Sequence, residues 1–337
     1  TAWPALDRLL APQLAECAPP GPDRMRLAVF APGCLRALPW ASLAPPGCVG
    51  VWQVPALGWW PSRPDPAGLA CWLEPADAPA STRLGEAVIA GLRAASPPRL
   101  VIGGVADPGR EIPEVQQVER AADLGLQRLR FYGHGLPVGA TDAVAGLQLA
   151  GDRAFIDRNL AGTRFAVGAE VELWAANPSF GDGARAVLDL GDRLPGLAHS
   201  MLGAGAAAVL DLAWPVHDFV KAMVCEHFGL LRNTRAIDGA VALRSATRWC
   251  AALVSQLQGR RHTFTDAQAF LAFVDGKRRQ TARELGGEPD LIVPLPPAAL
   301  SGEVDAWLAE VASPSHLAAF RWWGRCDLGP VGQVAGT

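Results

Sequence analysis

The chain has 337 residues, half of them hydrophobic, and carries 30 basic against 33 acidic residues for a formal charge of -3. It shows no basic block and no basic stripe interleaved with aromatics, so nucleic acid is not an expected partner. Its seven cysteines are scattered without C-x-x-C or Cys/His spacing, which argues against a metal or disulfide framework and for buried reduced thiols in a cytoplasmic protein.

No apolar run reaches the length of a membrane-spanning helix, and Thr1-Ala2-Trp3 lacks the basic start of a signal peptide. The missing initiating methionine suggests an excised region or a trimmed form. In chain order, strand-length apolar runs alternate with stretches of helical period, the α/β signature. Arg26 to Ala31, ended by Pro32-Gly33, is predicted as a buried strand, as are Leu69 to Leu73 and Arg99 to Gly103. Helices are predicted from Ser81 to Ala95 and from Ile112 to Leu124, the latter with Val115, Val118 and Ala121 on one face. Leu129 to Tyr132 is a strand delivering Gly133-His134-Gly135, and Ala145 to Ala150 opens a strand and turn. Val171 to Ala175 delivers Ala176-Asn177-Pro178.

Leu194 to Gly203 is an amphipathic helix closed by glycine, and Ala207 to Leu212 is a strand. Three long helices are predicted at Val216 to Leu231, Arg235 to Leu257 and Thr265 to about Leu285. The Pro-rich Ile292 to Pro297 is a loop, and Leu317 to Trp323 is a last strand. No internal repeat is visible.

Functional groups in an open parallel sheet sit at the carboxyl ends of strands, so the tips at His134 and Ala176 can face one crevice. A His-Gly tip followed by a buried strand ending in Ala-Cys is what amide hydrolysis by a thiol needs. The histidine moves the proton to the leaving amine, and backbone N–H groups stabilise the oxyanion. Glycine after the histidine permits close approach to the substrate carbonyl. Here every part is present except the sulfur, because Ala176 stands where the nucleophile belongs.

Other features read more simply. Ser179 lacks the Gly-x-Ser-x-Gly turn of a serine nucleophile. Gly103-Gly104-Val105 is not a dinucleotide fingerprint, and no phosphate loop is present. His199, His217, His227, His262 and His316 read as helix-face or surface residues, and Trp214 and Trp322-Trp323 as packing elements.

The tags resemble, in order, the CHAT family of caspase-like peptidases, relatives of caspases, separases and gingipains. They are Leu38-Pro39-Trp40-Ala41-Ser42-Leu43, Tyr132-Gly133-His134-Gly135, Leu173-Trp174-Ala175-Ala176, Leu202-Gly203-Ala204-Gly205-Ala206-Ala207, Ala213-Trp214-Pro215-Val216-His217-Asp218 and Leu317-Ala318-Ala319-Phe320. The resemblance implies a caspase-like α/β fold with a mostly parallel central sheet flanked by helices, over one peptidase unit from 1 to 337. Its parts are a lead-in at 1–25, a larger half at 26–190 with His134 and Ala176, a smaller half at 191–325, and a tail at 326–337.

By the same resemblance His134 is the catalytic histidine, Ala176 the nucleophile position and Gly135 an oxyanion backbone donor, with no cofactor and no metal. In basic-specific relatives an acidic residue two positions before the nucleophile shapes the P1 pocket. That position is Trp174 here, so a pocket for apolar or small side chains is expected, unless Asp182 or Asp211 reverses it. The loop from Phe180 to Arg193 is expected to order on activation. Implied partners are a protein substrate, cleaved in bacterial defence or regulated cell death, and a sensor module or partner that restrains the peptidase. Ala176 is either an engineered Cys-to-Ala change or the mark of a natural pseudopeptidase that binds proteins; the retained His134 and its glycines favour the first.

Overall fold

The computed structural model describes residues 25–31, 35, 38–45, 47–55, 70–74, 100–103, 125–135, 146–148, 154–160, 164–176, 197–235, 237–264, 267–287 and 304–324. Its strands are β1 (Met25–Val29), β2 (Cys48–Gln53), β3 (Ala70–Glu74), β4 (Leu100–Gly103), β5 (Arg128–His134), β6 (Gly146–Gln148), β7 (Ala154–Ile156), β8 (Glu170–Ala176), β9 (Ala208–Leu212) and β10 (Phe320–Gly324). Eight of them form one sheet in the order β1-β2-β10-β9-β8-β5-β3-β4, while β6 and β7 form an antiparallel hairpin. Within the large sheet every neighbouring pair is parallel except β9 with β10. The strands from β9 to β4 therefore point one way and β10, β2 and β1 the other. The chain moves from β3 outward to β4, then returns on the other side of β3 as β5. Such a reversal opens a crevice at the carboxyl ends of the strands, and His134 ends β5 there.

A central strand is buried on both faces, so its carboxylates need partners. Strand β8 meets this by alternation. Val171, Leu173 and Ala175 pack on one face with Leu129, Phe131 and Val209, under Leu197, Ala198, Met201 and Leu202 of α2 (Leu197–Gly203, the second helix after the short α1 at Trp40–Leu43). On the other face Glu170 and Glu172 are buried but paired, with Arg232 and Arg130 respectively.

That second face lies under α3 (Asp218–Arg235) and α4 (Gly239–Gly259), with α5 (Ala267–Leu285) packed outside α3. Helix α3 is buried from Phe219 through Arg232, and Arg278 of α5 pins it by a buried ion pair with Glu226. Asp238 caps α4, its carboxylate accepting from the Ala240 N–H at 2.9 Å. Desolvation raises the pKa of that carboxyl above the ordinary value although Arg232 pulls the other way. Arg244 of α4 reaches the carbonyls of Ala41 and Ala44 at the carboxyl end of α1, where a cation is favourable, and so fastens the Leu-Pro-Trp segment to the helical layer.

The sequence expectation of a mostly parallel sheet flanked by helices agrees with this architecture. Differences lie in particular elements. The sequence pattern does not announce strand β2, and the predicted last strand is divided: Leu317 and Ala318 end a helix, α7 (Pro314–Ala318), which follows α6 (Val304–Val311), and the strand starts at Phe320. Proline at the first helical position pre-sets φ for α7. The expected helices at Ser81 to Ala95 and Ile112 to Leu124, the Phe180 to Arg193 loop and the Ile292 to Pro297 loop lie outside the described residues.

His227 gives the layer a pH response. Its ring, buried on α3, stacks on Trp249 of α4 at 4.8 Å and 4°, and Nδ1 has no hydrogen-bond partner among the described residues. Burial pushes its pKa down to about 4. The unfolded chain takes up that proton near pH 6.5, the folded chain only near 4. Stability from this residue is thus complete above roughly pH 6.5 and falls as pH drops toward 4, by about 3 kcal/mol in all. Urea midpoints at about pH 7 and pH 4.5 should therefore differ less in His227→Phe than in the parent; an equal difference would show that His227 is not buried in its neutral form.

Candidate active site

Strand register brings the two tips together. On β5 and β8 the paired positions run Arg128 with Glu170, Arg130 with Glu172, Tyr132 with Trp174, and His134 with Ala176. Adjacent strands lie about 4.8 Å apart, so positions 134 and 176 are nearest neighbours across the ladder. His134 is exposed, while Gly133 beside it is buried. Gly135 is half-buried and bridges to Leu147 of β6, which ties the backbone after the histidine to the small hairpin. The backbones of positions 134 and 176 are thus one strand spacing apart, the proximity that nucleophilic catalysis by a thiol at 176 would need.

The pocket residues are placed differently from the sequence expectation. Trp174 is fully buried and lines no surface. Its indole stacks on Tyr132 at 6.0 Å and 13°, meets Phe228 edge-on at 5.6 Å and Phe320 at 6.0 Å, and donates from Nε1 to Glu172 at 3.0 Å. Alternation explains this: residue 174 points into the layer covered by α3, so its size fills core.

Asp211 is also fully buried, accepting from Arg321 Nε at 2.9 Å and Nη2 at 2.5 Å and from Trp323 Nε1 at 3.0 Å. A carboxylate engaged by an arginine of its own chain does not await a substrate arginine. Asp182 lies outside the described residues.

The segment after β9 sits at the same carboxyl edge and is clamped from the far end of the chain. The Ala213 N–H donates to the Ala319 carbonyl at 2.8 Å, and Trp214 Nε1 donates to the Ser315 carbonyl at 2.9 Å. The His217 N–H donates to His316 Nδ1 at 3.3 Å, and the Phe219 N–H donates to His217 Nδ1 at 3.2 Å. Both imidazoles accept at Nδ1 and so act here in their neutral form. Burial lowers both pKa values, against the opposing charge of Glu310. Sequence reasoning missed this pairing, since 99 residues separate the partners.

Among the described residues, Cys48, Cys71, Cys225 and Cys250 are buried and joined in no disulfide. Burial pushes the thiols of Cys71 and Cys250 up to about 12, which leaves them unreactive. No group of three or more His, Cys, Asp or Glu side chains fit to hold a metal occurs among the described residues, nor any helix long and apolar enough to cross a membrane.

No family model and no curated protein sequence matches the chain. Solved structures do. The separase–securin complex of Saccharomyces cerevisiae matches with 13% identity and a TM-score of 0.43, over 66% of this chain and 14% of that one. The Arg-specific cysteine proteinase gingipain R matches with 15% identity and a TM-score of 0.35, over 68% of this chain and 48% of that one. The chain thus spans less than half the length of either structure it matches.

Proposed function

We propose that the chain is a caspase-like cysteine endopeptidase of CHAT type, with His134 as its catalytic histidine and alanine at the nucleophile position, 176. The observation that carries this reading is the pairing of His134 with Ala176 at the carboxyl ends of adjacent strands beside the winding reversal. With a cysteine at 176, its thiolate attacks the scissile carbonyl carbon, and backbone N–H groups at the turn, that of Gly135 among them, hold the oxyanion. The tetrahedral intermediate collapses to a thioester as the protonated His134 gives its proton to the departing amine. Water activated by the neutral imidazole then releases the acid and returns the thiol. As it stands, the chain retains the histidine and binds without cleaving.

By its motif resemblance, the protein acts in the cytoplasm in bacterial defence or regulated cell death. Its substrate is a specific protein, and a sensor module or partner restrains it. The P1 residue is apolar or small, in keeping with Asp211, the described acidic candidate for that pocket, being engaged by Arg321. Restoring the nucleophile with Ala176→Cys and profiling P1-varied peptides, alone and with candidate activating partners, should give cleavage after apolar or small residues. An arginine or lysine preference would defeat the P1 assignment. No cleavage of itself, a partner or any peptide would favour a protein-binding module.

A further inference from the structure

The hydrophobic pattern of β5 and β8 leaves their relative register open. A slip of one residue would turn every side chain to the wrong face, but a slip of two keeps each face. On the α2 side the facing residues are Leu129 and Phe131 against Val171, Leu173 and Ala175, an apolar set that tolerates a two-residue slip. Such a slip would carry position 134 roughly 6–7 Å along the strand, beyond the contact that proton transfer requires.

The opposite face is selective. Arg130 is 8% exposed and Glu172 5%, and they lie directly across from one another. Arg130 donates from Nη2 to Glu172 Oε1 at 3.0 Å and from Nε to Oε2, the fork geometry of a bidentate pair. Oε2 also accepts from Trp174 Nε1 at 3.0 Å, and the indole so held stacks on Tyr132. These two rings are the pair immediately before His134 and Ala176 on the same face of the ladder. Shifted by two in one direction, Arg130 would face Trp174 while Glu172 would meet Arg128; in the other, Tyr132 would face Glu172 while Arg130 would meet Glu170. Either slip re-pairs one charge but sets the other member of the Arg130–Glu172 pair against an aromatic ring, which costs a buried charge its cross-strand partner.

We infer that Glu172, gripped by Arg130 and gripping Trp174, is a positioning residue that holds positions 134 and 176 side by side. The inference rests on the peptidase reading above. It assigns to a buried carboxylate, four residues before the nucleophile position, the task of setting the distance between the two reacting groups.

The test is the pH dependence of iodoacetamide alkylation of the thiol introduced by Ala176→Cys, with thermal melting recorded for each protein. A histidine at one strand spacing should make alkylation at about pH 6 at least about tenfold faster than in the same protein with His134→Ala. If the parent shows no such dependence, the peptidase reading itself fails. If it does, Glu172→Gln should lose most of that advantage while melting cooperatively, and Arg130→Lys, which keeps the charge pair, should retain it within about threefold. Arg130→Met with Glu172→Leu, which strands no charge, should lose it as well. Either Glu172 variant keeping the full His134-dependent rate overturns the inference. So does failure of the double variant to fold, which would make the pair a requirement of folding and not of placement.

Discussion

Asp211→Ala is expected to remove about 3–5 kcal/mol of folding stability. That is a large part of the roughly 5–15 kcal/mol a domain possesses. The reason is location. Asp211 is completely buried on β9 and lies directly opposite Arg321 on β10, in the one antiparallel seam that joins the oppositely directed parts of the large sheet. Removing the carboxylate leaves the Arg321 guanidinium, 2% exposed, and the Trp323 indole N–H without this acceptor. The guanidinium stands over the Trp323 ring at 5.3 Å, so its displacement would disturb the α2 layer as well. Asp211→Leu with Arg321→Met should cost much less, because no charge remains to be buried alone. Urea unfolding followed by far-ultraviolet circular dichroism measures both. A single-variant cost below about 1 kcal/mol, the range of an exposed pair, would show that the carboxylate is not the buried partner of Arg321.

The same pair shows where sequence reading stops. Asp211 stands near a strand tip and reads as a pocket acid; its partner lies 110 residues away, and no local pattern announces it. Trp174 misleads for another reason. In a central strand both faces are buried, so apolar content marks the strand without telling which side chain faces a crevice. Only the observed register, with Trp174 beside Tyr132 and under Phe228, assigns it to the core.

By contrast, the tips at 134 and 176 are legible because each is local: a short apolar run followed at once by small residues. Their adjacency in register is not, since it depends on pairing 42 residues apart, of the kind seen between Arg130 and Glu172. Strand β2 escapes notice because Gly50 interrupts it and Pro45, Pro46 and Gly47 precede it. The glycine has a packing cause: a Cβ there would press into the Trp52 ring and onto Val241 of α4.

The second large effect concerns His134. In an Ala176→Cys protein, acylation by a peptide substrate should fall by about 10²–10⁴-fold on His134→Ala, the usual worth of a positioned general acid–base group. The fold should persist, because His134 is exposed and belongs to no hydrophobic core cluster of the described residues. Buried thiols such as Cys71 and Cys250 should not compete, their pKa values pushed up to about 12.

The most direct measurement is intact-mass labelling of Ala176→Cys with a peptidyl electrophile carrying an apolar P1 residue, with and without His134→Ala. A single adduct at position 176 that forms rapidly with His134 present and at least about a hundredfold more slowly without it is the predicted result. Equal labelling in the two proteins, or labelling spread over other cysteines, would contradict a His134–176 catalytic pair.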